Sequence, residues 1–218
     1  MKMHPLYKQL TKYLEEEDKE KAVSFVLSKL QGGEIDIVTL YNELLAPALN
    51  NMKCEGPEEF CIWKEHVRSS IVRQVIENCY PYVLKERDAK YGGTGKGKKV
   101  MVLCPTEELH EIGPRMAADF FTLNGYDVTF VGANTPARSF ISAVDIIKPD
   151  YVAISVTNYY NLSAARKTIE KLRGRKHKAF KIIVGGFAFT RNPDIYKEIG
   201  ADIHLLGFDD IRKLKGGG

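Results

Sequence analysis

In the N-terminal part of the chain, apolar side chains return every three or four positions, the spacing of one helix face. Leu6, Leu10, Tyr13 and Leu14 mark a helix over residues 5–17. Asp18 caps a second, striped by Ala22, Val23, Phe25, Val26 and Leu30 and stopped by Gly32 and Gly33 in a left-handed turn. Asp36 opens a third, with Val38, Tyr41, Leu44, Leu45 and Leu49 inward and Pro47 as a candidate kink; it gives out over 52–57. A fourth spans 58–87 and carries Trp63, Val67, Ser70, Ile71, Gln74, Val75 and Asn78. Four amphipathic helices with short connections predict an antiparallel four-helix bundle.

The pattern changes after Tyr91. Gly92, Gly97 and Lys98 fit the spacing of a phosphate-binding G-x-x-x-x-G-K loop, but Lys99 stands where that loop needs a serine or threonine to hold magnesium. The stretch also precedes a strand, whereas such a loop follows one. Residues 92–98 are therefore read as a flexible joint between a helical domain, 1–91, and a second domain, 99–218.

Beyond the joint, short apolar runs alternate with helical stretches. Strands are predicted at 100–103, 128–131, 151–156, 182–184 and 203–206, and helices at 114–124, 137–147, 162–173 and 194–199. Apolar runs separated by helices describe an α/β unit, a doubly wound five-stranded parallel sheet covered on both faces. In the common flavodoxin-like (Rossmann-like) order 2-1-3-4-5, ligands bind beyond the carboxyl ends of strands one and three, where the winding reverses.

Composition removes several classes. The 218 residues carry a formal charge of +4 with acidic and basic side chains interspersed, which demands neither a nucleic acid nor a membrane as partner. Arg173, Arg175, Lys176, His177 and Lys178 form a basic run between a helix and a strand, where a solvated turn is the ordinary reading. No signal-peptide pattern opens the sequence and no apolar run is long enough to span a bilayer, so a cytoplasmic protein is expected. Cys54, Cys61, Cys79 and Cys104 contain no C-x-x-C pair and match no common zinc spacing; reduced thiols, mostly within helices, are expected.

Candidate chemistry gathers on the loop 104–113, between the first strand and a helix that Pro114 is expected to open. Glu108-Leu109-His110-Glu111-Ile112-Gly113 sets a carboxylate two residues before a histidine. The carboxylate can fix the imidazole tautomer and leave the other ring nitrogen outward, as metal-bound histidines require. Gly113 lets a bulky group approach. By spacing alone a solvated loop histidine is the commoner case, and both readings stay open. Under the predicted strand order His110 shares a crevice with Ser155 and Thr157, at the end of the third strand, and the fourth strand ends beside them in Gly185 and Gly186. Small residues there would leave a slot for a long ligand tail, although strand-end capping and an ordinary turn fit as well.

Other uses of the fold fail on the residues. A phospho-receiver needs an aspartate at the end of the third strand, where Ser155-Val156-Thr157-Asn158 has none. A dinucleotide site needs G-x-G-x-x-G after the first strand, and a flavodoxin needs a hydroxyl- and glycine-rich phosphate loop, which Thr106 alone does not make. On the fourth helix Trp63, His66 and Ser70 share a face; taken alone, Trp63 reads as a core anchor and His66 as an ordinary helix histidine.

Together these residues resemble the cobalamin-binding domains of methionine synthase, corrinoid methyl-carrier proteins and MerR-type light-sensing repressors. The family motif D-x-H-x-x-G is matched by Glu108 to Gly113, its S-x-L or S-x-T by Ser155-Val156-Thr157 and its G-G by Gly185-Gly186. The family's four-helix cap also precedes the domain, so the resemblance covers nearly the whole chain. It implies that His110 is the lower axial ligand of cobalt, displacing the cofactor's dimethylbenzimidazole, and that Glu108 polarises it. The nucleotide tail would enter beside Ser155, Thr157, Gly185 and Gly186. Caps of the light sensors carry a Glu-His pair toward the upper corrin face, which Glu65-His66 reproduces, so His66 is implied as an upper-face residue and metal ligand.

Three departures are visible. Glu108 stands for the usual aspartate, a form that resembles the light-sensing branch. The sensors place a tryptophan upstream of the Glu-His pair; here that neighbourhood holds Met52 and a longer loop, while Trp63 lies three residues before His66. No helix-turn-helix pattern precedes the helices, so direct DNA reading is not expected.

The resemblance implies a protein that binds methyl-, hydroxo- or adenosylcobalamin, is not catalytic alone, and serves as a corrinoid methyl-group carrier for partner methyltransferases. The alternative is a cobalamin-dependent light or ligand sensor read by a partner protein. A third reading, the small subunit of an adenosylcobalamin mutase, is opposed by the helical cap, since a mutase's substrate barrel would occupy that face. Assembly as a homo-oligomer is compatible with each.

Overall fold

In the computed structural model, which describes residues 3–92, 97–175, 179–192 and 194–214, the N-terminal helices begin where the sequence supplies caps. After α1 (Tyr7–Glu15), Asp18 accepts the Lys21 N–H at the head of α2 (Lys19–Gln31), and Asp36 accepts the Thr39 N–H at the head of α3 (Ile37–Thr39). Gly33, at φ +70, is the left-handed residue after α2. α3 runs on through a π-helical segment, Leu40–Leu45, into α4 (Ala46–Asn50). Pro47 is the physical reason: it has no N–H to donate, and the register widens ahead of it, with the Ala46 N–H reaching back to Tyr41. The candidate kink is therefore a change of helical register.

The fourth helical stretch, α5 (Glu58–Tyr91), runs a turn beyond its expected end. It stops where Gly92, at φ +71, donates to the Asp88 carbonyl at 2.8 Å. Its buried stripe is Ile71, Val72, Val75, Ile76, Cys79 and Val83. Ile71 and Val75 of the expected face are buried, whereas Ser70 and Asn78 are exposed, because the buried row runs to one side of them. The expectation of reduced thiols is corrected at one place: Cys54 and Cys61 form a disulfide. Gly56, at φ +151, and Pro57 turn the chain back and bring the two Cα atoms to 5.6 Å. Cys79 and Cys104 are buried free thiols.

The chain divides within α5 into two units, Met1–Glu86 and Arg87–Gly218. Residues 93–96 of the expected joint, and Lys176, His177 and Lys178 of the basic run, lie outside the described residues. In the second unit β1 (Lys99–Leu103), β2 (Asp127–Gly132), β3 (Tyr151–Ser155), β4 (Lys181–Gly185) and β5 (Ile203–His204) form one parallel sheet in the order β2-β1-β3-β4-β5, as expected. Successive strand residues point to opposite faces, and both faces are covered. α6 (Ile112–Leu123) lies against β1 and β2 on one side, while Met101, Val152 and Ile182 pack with α7 (Ala137–Ile147) and α8 (Leu162–Arg173) on the other.

Three boundaries differ from expectation. α6 begins two residues ahead of Pro114, so Gly113 lies in its first turn. α9 (Ile195–Glu198) is shorter than predicted, and β5 keeps two residues, its ladder extended by the Leu205 N–H to Val184. The sequence reading has no counterpart to α10 (Phe208–Leu214), whose Phe208 ring meets Phe120 of α6 edge-on at 5.1 Å.

Candidate cofactor site

The loop after β1 crosses the carboxyl edge of the sheet, and the turn after β2 pins it. The Glu107 N–H donates to Asn134 Oδ1 at 3.0 Å, the Asn134 N–H to the Glu108 carbonyl at 2.9 Å, and the Thr135 N–H to the Cys104 carbonyl at 3.3 Å. Glu107 is held at φ +70, a left-handed conformation that costs a non-glycine residue on the order of 1–3 kcal/mol. The bonds from Asn134 and Thr135 offset that cost and give the loop one shape.

Within this shape Glu108 is fully buried and five donors converge on it. Oε1 lies 2.5 Å from His110 Nδ1 and also accepts the His110 N–H at 3.1 Å. Oε2 accepts the N–H groups of Thr157 at 2.9 Å and Asn158 at 3.0 Å, and the Asn161 amide at 3.2 Å. Burial pushes the carboxyl up, but the hydrogen bonds from Asn158, His110 and Asn161 outweigh it and hold Glu108 below the ordinary carboxylate range. An ionised Glu108 can only accept, so Nδ1 of His110 carries the proton. In the neutral imidazole Nε2 is then the nitrogen that carries the lone pair, on a side chain that is 56% exposed.

Asn161 is the functional residue that sequence reasoning missed. It is buried at the start of α8 and donates to both Glu108 Oε2 and the Glu107 carbonyl. An asparagine just past the third strand reads as a helix cap, a role Asn158 in fact fills by accepting the Tyr160 N–H. Beneath the loop, burial and then the charges of Glu108 and Glu111 push the Cys104 thiol up to about 12. It remains protonated and donates to the His110 carbonyl at 3.6 Å.

The other candidates divide. Ser155 ends β3, paired in register with Gly185, and Thr157 serves the loop through its backbone. Gly186 is at φ +104, and a β-carbon there would run into the Val156 carbonyl; one on Gly185 would sit 3.0 Å from the Leu205 oxygen. Their smallness is used to bring backbone segments together. Gly113 alone among the glycines of the expected site faces open space. The loops after β1, β3, β4 and β5 carry exposed Leu109, Tyr160, Phe187 and Leu206.

In the N-terminal unit Trp63 is 52% exposed and stacked on Phe60, with ring centroids 5.9 Å apart. It is not the core anchor that its spacing first offered, since the buried row of α5 begins further along. Glu65 and His66 are exposed. Among the described residues no three His, Cys, Asp or Glu side chains cluster as a metal site, and no helix is long and apolar enough to cross a membrane.

The HTH-type transcriptional repressor CarA of Myxococcus xanthus is 25% identical over 167 residues, 77% of this chain and 54% of its own length. A corrinoid protein of Desulfitobacterium hafniense is 27% identical over 136 residues, 61% of this chain and 62% of its own. The chain thus spans little more than half of the curated relatives it matches. The structure of the Methanosarcina barkeri monomethylamine corrinoid protein superposes with a TM-score of 0.75 at 14% identity, over 96% of both chains, which shows a shared fold. Residues 98–210 match the B12 binding domain, more than half of the sequence, and the chain belongs to that family.

Proposed function

We propose that the protein holds cobalamin with the cofactor's own base displaced, Nε2 of His110 being the lower axial ligand, and acts as a corrinoid methyl-group carrier for partner methyltransferases in the cytoplasm. The observation that carries this reading is the pairing of His110 Nδ1 with a buried, ionised Glu108, which leaves Nε2 as an exposed, oriented donor. The surroundings fit a corrinoid: open space over Gly113, and exposed apolar side chains on the loops after β1, β3, β4 and β5. Corrinoid cobalt, when bound, supplies the group-transfer chemistry. The chain's residues ligate, orient and screen. Ser155, Thr157, Gly185 and Gly186 would border the nucleotide tail, and Trp63, Glu65 and His66 would serve the upper face, His66 as a ligand there.

A second reading, a cobalamin-dependent light or ligand sensor acting through a partner protein, is favoured by the exposed Glu65-His66 pair and by the similarity to the CarA repressor. Gel filtration separates the two. Apoprotein is mixed in the dark with methyl- or adenosylcobalamin, and the absorbance spectrum is followed across the protein peak before and after green light. A carrier co-elutes with methylcobalamin and keeps its size. Preferential adenosylcobalamin binding with a light-dependent change of size would support the sensor, and no co-eluting cobalamin would overturn both.

A further inference from the structure

The segment between α4 and α5 is joined to the helix by the Cys54–Cys61 bond, by the Pro57 carbonyl, which accepts the Phe60 and Cys61 N–H groups, and by the packing of Gly56 on Phe60. Residues 52–56 donate no backbone hydrogen bond among the described residues. Cys54 is exposed and Cys61 half-buried, and the bond spans a separation of 7 residues. Closing so short a loop takes little entropy from the unfolded chain, and exposed disulfides exchange readily with thiols. Cys79 and Cys104 are buried. Exchange is thereby confined to one pair.

That pair is linked by packing to the only tryptophan of the chain. Gly56 lies against Phe60, where a β-carbon would sit 3.3 Å from the ring. Phe60 in turn stacks on Trp63 with the planes 12° apart, and the Lys64 ammonium lies 5.3 Å from the Phe60 centroid. The closed disulfide keeps Gly56 on Phe60 and Phe60 on Trp63. Opening it frees the segment, and Phe60, Ile62 and Trp63, all exposed on the first turns of α5, can repack.

We propose that Cys54 and Cys61 form a reversible dithiol–disulfide switch that sets the packing of the Phe60 and Trp63 face of α5. The step is thiol–disulfide exchange with small-molecule thiols. A small thiolate attacks one protein sulfur, giving a mixed disulfide and releasing the other protein sulfur as a thiolate; a second small thiolate then attacks the small-molecule sulfur of the mixed disulfide and releases the remaining protein thiolate. Two protein thiols and one small disulfide result, with both electrons and both protons supplied by the two small thiols. An excess of small disulfide drives the reverse.

The test uses full-length apoprotein equilibrated in buffers of reduced and oxidised glutathione, with the thiols counted by alkylation and mass spectrometry. Trp63 emission should change in step with the conversion of Cys54 and Cys61. The C54S/C61S variant should show the emission of the reduced form in every buffer. Identical emission in both redox states, cysteines that stay in one state throughout, or a variant that still responds would each overturn the switch.

Discussion

Glu108 holds the ring of His110 at 2.5 Å through one oxygen while its other oxygen takes the backbone N–H groups of Thr157 and Asn158. One buried carboxylate thus joins the loop after β1 to the turn after β3, the two strand ends between which the winding of the sheet reverses. The direction of Nε2 is set by the sheet and not by the loop alone.

Glu108→Gln should break this arrangement although it keeps the shape. If the amide oxygen accepts from His110, its NH2 faces two backbone N–H groups and the Asn161 amide, and donors meet donors. Leaving them unsatisfied should cost about 2–3 kcal/mol in urea unfolding. Cobalamin retention should fall as well, measured by co-elution.

Asn161→Ala removes the amide that serves both the ionised Glu108 and the Glu107 carbonyl and should cost about 2 kcal/mol. Asn161→Asp sets a second carboxylate beside a buried one and should cost more than the alanine variant. Equal unfolding midpoints for the two would show that Asn161 does not hold Glu108.

Two glutamates, Glu108 and Glu86, give pH dependences of opposite sign. Glu108 has a depressed folded pKa, so its stabilisation is fully present above the unfolded glutamate value, about 4.3, and is lost as pH falls through the depressed folded value. Glu86 is raised, by burial first and by Asp36, against the Ile37 N–H that it accepts at 3.0 Å. Its contribution grows as pH falls from neutral through the raised value and levels below the unfolded one. Glu86→Gln, which keeps an acceptor for Ile37, should therefore gain on the wild type at neutral pH and lose that gain in acid. Denaturant titrations across pH, compared as differences, check the sign.

Two glycines should respond oppositely to alanine. Gly186→Ala meets both a positive φ and the Val156 backbone, and should cost at least about 2 kcal/mol. Gly113→Ala enters open space in the first turn of α6 and should leave stability unchanged or raise it by up to about 1 kcal/mol. Thermal melts of the apoproteins decide this, and weaker cobalamin retention by Gly113→Ala would mark the space over it as cofactor space.

The sheet and its order were legible because buried parallel strands are apolar throughout, as at Val100 to Leu103, and because the stretches between them carry helical periodicity. The caps of Asp18 and Asp36 were read from residue type alone. The buried face of α5 was legible at Ile71 and Val75 and not elsewhere, since Trp63, Val67 and Ser70 sit on a row as regular as the one that enters the core. The Cys54–Cys61 bond depends on the turn at Gly56, a backbone property that residue spacing does not contain. At the site, Glu108 and His110 were visible as neighbours in sequence. Asn161, 53 residues from Glu108, reaches it only once β1 and β3 are paired.

Ligation by His110 is tested most directly by electron paramagnetic resonance of the protein loaded with cob(II)alamin, its histidines labelled with the heavy nitrogen isotope. An axial nitrogen of the ordinary isotope splits the cobalt lines into triplets, and the heavy isotope into doublets. Doublets in the labelled protein that vanish in labelled His110→Ala are predicted. Triplets in the labelled wild type, as the cofactor's own benzimidazole would give, or doublets that survive His110→Ala, would contradict it.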